Sequence, residues 1–316
     1  MNRPPYGLFP GEIEMLQLLR RMVQLSVIVF LMILPILALY AMIVEHRMQR
    51  MIDVQYQGPW LVAFKGIDAF FSRYDQSTTM GLIGQVKGSI WAVDIFGLRL
   101  SDPLAFLSHL FAAKSFDAVL FVSIIIPIGL TMFLGRFFCS WICPMNTFLE
   151  LNNTFRGLLK SLRFVPHNVT LDRRYKYWFL GMILMAALIS GISLLPMIYP
   201  PIVLSREIFY YLFYGGFGVG IFFILSIAVV ELSLSERMWC RYLCPGGALW
   251  SLMGSKKILN IERDRETCTD CHECDINCEF SLEPMKDKFG RECSNCGECI
   301  SVCPEDSLSW KLGRAS

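Results

Sequence analysis

Apolar runs approaching the length of a bilayer crossing alternate with basic, polar segments along most of the chain, and this alternation stops after Gly254. A helix needs about 20 mostly apolar residues to traverse hydrocarbon. Four stretches approach that length without an internal Lys or Arg: Met22 to Val44, Ala118 to Leu134, Trp178 to Tyr199 and Phe217 to Leu234. The pattern predicts four transmembrane helices, with Pro35, Pro127 and Pro196 inside them where neighbouring helices satisfy the freed carbonyls. The first run follows Arg20 and Arg21, but it is too long for a signal-peptide core and no small-x-small cleavage site follows it. It reads as a retained anchor. Between the first two runs, Trp60 to Phe71 and Ile90 to Phe111 read as amphipathic or re-entrant helices at the outer interface.

Composition agrees with a membrane setting, since 54% hydrophobic against 18% charged residues is too apolar for a soluble chain of 316. A formal charge of +2 offers neither the basic field of a nucleic-acid binder nor the acidic excess of a disordered chain. Lys and Arg fix the orientation. The segment from Gly135 to Tyr177 carries Arg136, Arg156, Lys160, Arg163, Arg173, Arg174 and Lys176, whereas Pro200 to Leu212 carries only Arg206, and the tail from Ser235 is again basic. Residues 1–21 are then a cytoplasmic N-terminal tail, residues 22–254 a membrane domain, and residues 255–316 a soluble cytoplasmic domain.

The ends of the second and fourth runs repeat one another. Gly135-Arg-Phe-Phe-Cys139-Ser-Trp-Ile-Cys143-Pro144 and Glu236-Arg-Met-Trp-Cys240-Arg-Tyr-Leu-Cys244-Pro245 both read aromatic-Cys-x-x-x-Cys-Pro. This implies a duplicated helix pair, a repeat found in membrane carriers. Cysteines four apart share one face of a helix that the proline ends, so each repeat offers two thiols pointing one way. Either Cys139, Cys143, Cys240 and Cys244 converge on one metal site, or they are structural thiols or a docking surface. A disulfide is excluded on a reducing face.

The soluble tail holds the other cysteines in two identical C-x2-C-x2-C-x3-C spacings: Cys268, Cys271, Cys274 and Cys278, then Cys293, Cys296, Cys299 and Cys303. In a small α+β bacterial-type 2[4Fe-4S] ferredoxin, three thiolates of one loop hold a cluster and the fourth cysteine ligates its neighbour. The expected sets are Cys268, Cys271, Cys274 and Cys303 for one cluster, and Cys293, Cys296, Cys299 and Cys278 for the other. Structural zinc does not need such crossed ligation. Pro304 follows Cys303 as that pattern expects, while Glu279 follows Cys278 where proline is usual. Gly297 permits a sharp turn, and Asp270, Glu273 and Asp275 add negative charge near the first cluster, which should lower its potential.

From about residue 100 onward the chain resembles the NapH-type membrane ferredoxins of periplasmic nitrate reduction, with relatives in nitrous oxide reduction (NosR/NosH-like) and methylamine dehydrogenase systems (MauN-like). The residues that carry the resemblance are Phe138-Cys139-Ser-Trp-Ile-Cys143-Pro-Met-Asn146, Trp239-Cys240-Arg-Tyr-Leu-Cys244-Pro-Gly-Gly-Ala248, Ser101-Asp102-Pro103-Leu104 and the double ferredoxin tail. The resemblance implies a multi-pass protein of the bacterial inner membrane, the electron-transfer subunit of a quinol dehydrogenase complex. Such a subunit takes electrons from quinol and relays them through [4Fe-4S] clusters toward a separate ferredoxin-type partner and a periplasmic reductase or dehydrogenase, such as nitrate reductase. The alternative is an accessory protein that supplies electrons for maturation or reactivation of a periplasmic metalloenzyme. Two clusters are expected, with a third at the Cys-x-x-x-Cys-Pro motifs if those thiols converge. No histidine pair for a haem lies within a span, because His46, His109 and His167 lie outside and His272 is in a cluster loop. Quinol oxidation needs a proton acceptor near an apolar slot. Asp102, His109 and Arg206 at the outer interface and Glu231 inside the fourth run are the candidates, each with a structural role available: a helix cap for Asp102, interfacial anchoring for His109 and Arg206, and snorkelling for Glu231.

Overall fold

The computed structural model of the chain describes residues 12–45, 59–71, 73–74, 78, 81, 83, 86–89, 91–161 and 169–313. His46, His167 and Ile90, and most of the expected N-terminal tail, lie outside the described residues. Helix α1 (Glu12–Glu45) runs through Pro35 and begins ahead of the expected Met22. Its first turns carry Arg20 and Gln24, both buried against the rest of the protein. Among the described residues, its stretch Met15–Ala41 is the one helix both long and apolar enough to cross a membrane.

The other three predicted runs fold as shorter helices, each for a local reason. The second divides into α4 (Ala118–Ser123) and α5 (Ile125–Leu134). Pro127 has no N–H to give the Ser123 carbonyl four residues back, and its ring crowds that carbonyl, so the helix breaks there. The third, α8 (Tyr175–Ser190), stops at Gly191 in the left-handed conformation rather than continuing to Tyr199. The fourth, α11 (Gly220–Ser233), starts after Phe217. Val122, Ile126, Met182, Ile189, Phe222 and Val229 stand exposed on the outer faces of these helices. In the long segment before them, α2 (Pro59–Phe71) forms as expected. The stretch from residue 90 does not form one helix. It is the end of a three-stranded antiparallel sheet, β1 (Val86–Ser89), β2 (Ala92–Ile95) and β3 (Leu98–Ser101), followed by α3 (Pro103–Ala113). Phe96 and Gly97, both at positive φ, make the tight turn that pairs β2 with β3.

The duplication extends well beyond the cysteine motifs. After α3, α4 and α5 come α6 (Phe137–Trp141) and α7 (Pro144–Ser161). After α8 and the short α9 (Leu195–Ile198) come α10 (Pro200–Tyr214), α11, α12 (Met238–Tyr242) and α13 (Pro245–Met253). Thus α3 corresponds to α10, α4 and α5 to α11, α6 to α12 and α7 to α13, with α1 and α8 as the leading helices. Each leading helix packs on the motif helices of its own repeat and crosses to the other: α1 against α6, α7 and α10, and α8 against α12, α13 and α3. Gly220 lets α11 close on α10, because a side chain there would meet Val203, Arg206 and Glu207 of α10. Gly216, the other half of a small-x-x-x-small pair, faces open space.

The tail is closed by β4 (Leu259–Arg263) pairing antiparallel with β5 (Leu308–Leu312), around a core of Ile261, Phe289, Ile300 and Leu308. It is seated on the helical domain by buried charge. Glu292 pairs with Arg136 at 2.5 Å and with Lys176, and accepts from the Tyr177 hydroxyl at 2.8 Å. Arg237 pairs with Glu279 at 2.6 Å. Glu279 is the residue that stands where proline is usual, and its carboxylate ties the first cysteine loop to the second repeat. Ser140 donates to the Ser294 carbonyl at 2.9 Å, and Asn295 donates to the Leu134 carbonyl at 2.8 Å.

Burial pulls the Glu292 carboxyl upward, yet Arg136 and Lys176 hold it at about 2 against an ordinary 4.5. Its stabilising contribution is therefore complete above about pH 4.5 and disappears as pH falls toward 2. Replacing Glu292 with Ala strands two buried cations, and the cost should be about 3–5 kcal/mol. Amide-exchange protection of the tail in the full chain should be flat across neutral pH in the natural protein and should collapse in Glu292→Ala.

Candidate metal centres

The two motif helices are one turn each, and the chain leaves them before the second cysteine. Cys143 and Cys244 precede Pro144 and Pro245, which open α7 and α13 rather than ending a preceding helix. This corrects the expectation that both thiols of a motif share a helix face. The residue before a proline is barred from helical geometry, while proline suits the first helical position. Cys244 is a helix cap, its sulfur accepting from the Gly247 N–H at 3.3 Å. The second thiol of each motif thus faces the positive end of a helix, but burial outweighs the pull of the helix N–H groups and raises both thiols, Cys244 to about 12.

The four motif cysteines come together from the two repeats. Burial raises Cys143, and the charges of Cys139 and Cys244 raise it further. Burial raises Cys240 as well, with Glu231, Cys244 and Cys143 adding to the effect. Cys143 and Cys240 pack on Met145, Leu149 and Val203, and Cys244 packs beside Leu104, Tyr199 and Ala248. Gly247 eases this convergence, because a Cβ there would come within 3.4 Å of the Arg136 guanidinium and 3.2 Å of the Cys240 carbonyl, a tight fit.

In the tail, Cys268, Cys271, Cys274 and Cys303 line one pocket together with Arg263 and Met285. On the other side of the core, the charges of Cys296, Cys293 and Cys278 all bear on Cys299. Burial pushes Cys296 up to about 12 and Cys278 to about 11. Such thiols become thiolate ligands only against a positive metal centre. The two loops share a backbone plan, with Asp270 and His272 in one and Asn295 and Gly297 in the other at positive φ. A side chain at Gly297 would collide with the Trp310 ring. The second loop lies directly on the first motif: Trp141 donates to the Asn295 carbonyl at 3.3 Å, and Gln17 of α1 donates to the Cys296 carbonyl at 3.1 Å. Among the described residues, no three His, Cys, Asp or Glu side chains close on a single ion. Sets of four cysteines fit a larger centre.

Two arginines of the site lie in the repeated motif but have no obvious role in the sequence. Arg136 and Arg237 stand three residues before Cys139 and Cys240, and both are buried. Arg136 Nε and Nη2 and Arg237 Nε have no hydrogen-bond partner. A buried cation with unspent donors beside a group of thiols suits an anionic cluster. Arg263 is a third addition. It reaches Cys268 Sγ at 3.5 Å and Asp270 at 3.3 Å, and so offsets the negative charge expected near the first tail set.

The quinol-site candidates separate. Asp102 is buried, caps α3 by accepting from the Leu104 N–H at 2.8 Å, and accepts from the Tyr199 hydroxyl at 2.8 Å. Tyr199 in turn covers Gly246, where a Cβ would fall 2.5 Å from its ring. Asp102 therefore lies next to the second motif. Glu231 is buried on the motif side, accepting from the Trp239 N–H at 3.3 Å. Arg206 pairs with Glu207 at 3.2 Å, and His109 is half-buried on α3. These four are not one constellation.

A family model described as a 4Fe-4S binding domain matches residues 116–161 and again residues 216–262, the corresponding parts of the two repeats. The chain is 30% identical to the ferredoxin-type protein NapH of Escherichia coli, over 69% of this chain and 78% of that protein. It is 30% identical to NapH of Haemophilus influenzae over 71% and 78%, and 30% identical to the methylamine utilization ferredoxin-type protein MauN of Paracoccus denitrificans over 70% and 67%. No solved structure matches the chain. The double match supports [4Fe-4S] binding.

If the motif thiols hold a cluster beside the two of the tail, anaerobically purified protein should contain about twelve iron atoms and as much acid-labile sulfide per chain. Cys139→Ser and Cys240→Ser should each lower both counts by about four. Chemical iron and sulfide analysis decides it, and an unchanged count would leave the motif thiols as structure.

Proposed function

The chain belongs to the NapH and MauN ferredoxin-type family, and from that premise we propose that it is a membrane electron-transfer subunit with quinol as its donor and a partner ferredoxin and periplasmic oxidoreductase as its acceptors. In this reading α1, α4 with α5, α8 and α11 cross the bacterial inner membrane, and both termini and the tail face the cytoplasm. The exposed apolar faces of the short helices support the crossings, and the Lys and Arg of the connecting segments support the orientation.

Cys268, Cys271, Cys274 and Cys303 hold one cluster, Cys293, Cys296, Cys299 and Cys278 a second, and Cys139, Cys143, Cys240 and Cys244 a third. Bound there, the clusters supply reversible one-electron chemistry, to which a hydroquinone releasing two electrons and two protons on becoming a quinone is matched. The protein's own residues set the order of the sites. Cys271 is exposed at the far side of the tail, where a soluble partner can dock, while the Cys293–Cys299 loop rests on Ser140 and Trp141. Arg136 spans from Glu292, next to Cys293, to the motif thiols. The arrangement of the cysteines, with Cys271 exposed in the tail and the Cys293–Cys299 loop resting on Ser140 and Trp141 of the first motif, is the observation that carries the reading.

A second reading is electron supply for maturation or reactivation of a periplasmic metalloenzyme, and the chain is as similar to MauN as to NapH, at 30% each. The two separate on whether the chain copurifies with its acceptor. For the donor, the full chain in lipid nanodiscs without oxygen should lose its broad visible absorbance and gain a paramagnetic signal when a short-chain quinol is added. Bleaching by dithionite but not by quinol would overturn the donor assignment.

A further inference from the structure

Between α1, the β1–β2 hairpin and α10 the chain leaves a cavity of about 480 Å³, a size ordinary for small-molecule sites. Its walls are mostly apolar: Pro35 and Ala38 of α1, Trp91 of the hairpin, and Ile202 of α10. The polar groups are few and of both kinds. Arg206 and Ser205 of α10 supply donors, with Arg206 partly exposed at 42% of its side chain. Pro35 has no N–H to give the carbonyl of Leu31, which also lines the space, so this helix leaves an acceptor there. An acyl chain has no use for such groups, whereas a ring that carries hydroxyls in one redox state and carbonyls in the other can use both.

The position of the cavity is as telling as its chemistry. It borders the longest apolar helix, so a lipid-soluble ligand reaches it from hydrocarbon. Behind it, the Trp91 carbonyl accepts the Asp102 N–H at 2.7 Å, Asp102 accepts from the Tyr199 hydroxyl, and the Tyr199 ring lies on Gly246 in the turn that follows Cys244. Asp102 and Tyr199 thus link Trp91, which lines the cavity, to the second motif. His109 and Glu231 are not among the residues that line it.

We propose that this slot is the binding site for the ring of a prenylated quinone, in its quinol and quinone forms. The inference rests on the quinol-donor reading and gives that donor its place. The test is binding rather than turnover. Oxidised short-chain quinone titrated into the full chain in nanodiscs should quench tryptophan fluorescence saturably, and the saturable part should vanish in Trp91→Phe. In Ala38→Phe, whose ring fills the slot, the apparent affinity should fall at least tenfold, with the iron content unchanged. Absence of saturable quenching, or quenching that Ala38→Phe leaves intact, would overturn the slot, as for a groove filled by a lipid chain. Saturable, Ala38→Phe-sensitive quenching in a protein that quinol does not reduce would keep the slot and overturn the donor reading.

Discussion

The assembly depends on one buried anion. Glu292 sits between Arg136 of the first repeat and Lys176 at the start of α8, and neither cation reaches water. A charge removed from water must be paired, so the two cations fix where the tail sits to within hydrogen-bond tolerance. Because Glu292 is followed directly by Cys293, the same interaction sets the distance between the tail's second cysteine loop and the motif thiols. Electron transfer falls steeply with distance, and a flexible tether would not serve it. The Arg237–Glu279 pair performs the same service on the other repeat.

The pseudo-symmetry of the helical domain places both motifs at one junction. Each repeat begins with a helix that packs on its own motif and crosses to the other repeat, and each contains a helix, α3 or α10, opened by proline. Proline at a helix start leaves no intrahelical bond unmade, which suits a start buried in protein. With 11 residues, α3 rises only about 16 Å from this junction. Around the motif thiols, the positive ends of α7 and α13 and the guanidinium groups of Arg136 and Arg237 create a field suited to bound negative charge.

Glycines and departures from common patterns locate where the parts touch. Gly246 is needed because the Tyr199 ring occupies the space of any side chain there, while Gly247 lies tight against the Cys240 carbonyl. Glu279 stands where proline is usual, and its carboxylate pairs with Arg237 of the helical domain. The short α14 (Glu273–Ile276) and α15 (Glu298–Ser301) follow loops of the same backbone form, the second held on the helical domain through Ser294 and Asn295 and the first only at its end, through Glu279. The first stays open, with Cys271 exposed.

What was local in the chain was legible in its sequence. The tail's cysteine spacings, the repeated Cys-x-x-x-Cys-Pro, the proline-opened helix after Asp102 and the apolar runs follow from hydrophobic period, covalent geometry and ligand number, which neighbouring residues determine. Helix ends were less legible, because Pro127 and Gly191 act through backbone sterics that an apolar count does not weigh. What only the tertiary structure decided is which distant residues meet: Tyr199 with Asp102, Glu279 with Arg237, Arg136 with Glu292, and the four motif thiols with one another. Those contacts join segments separated by tens to hundreds of residues, and their selection rests on pairing buried charges and filling space across the repeat axis, quantities that no single stretch of sequence contains.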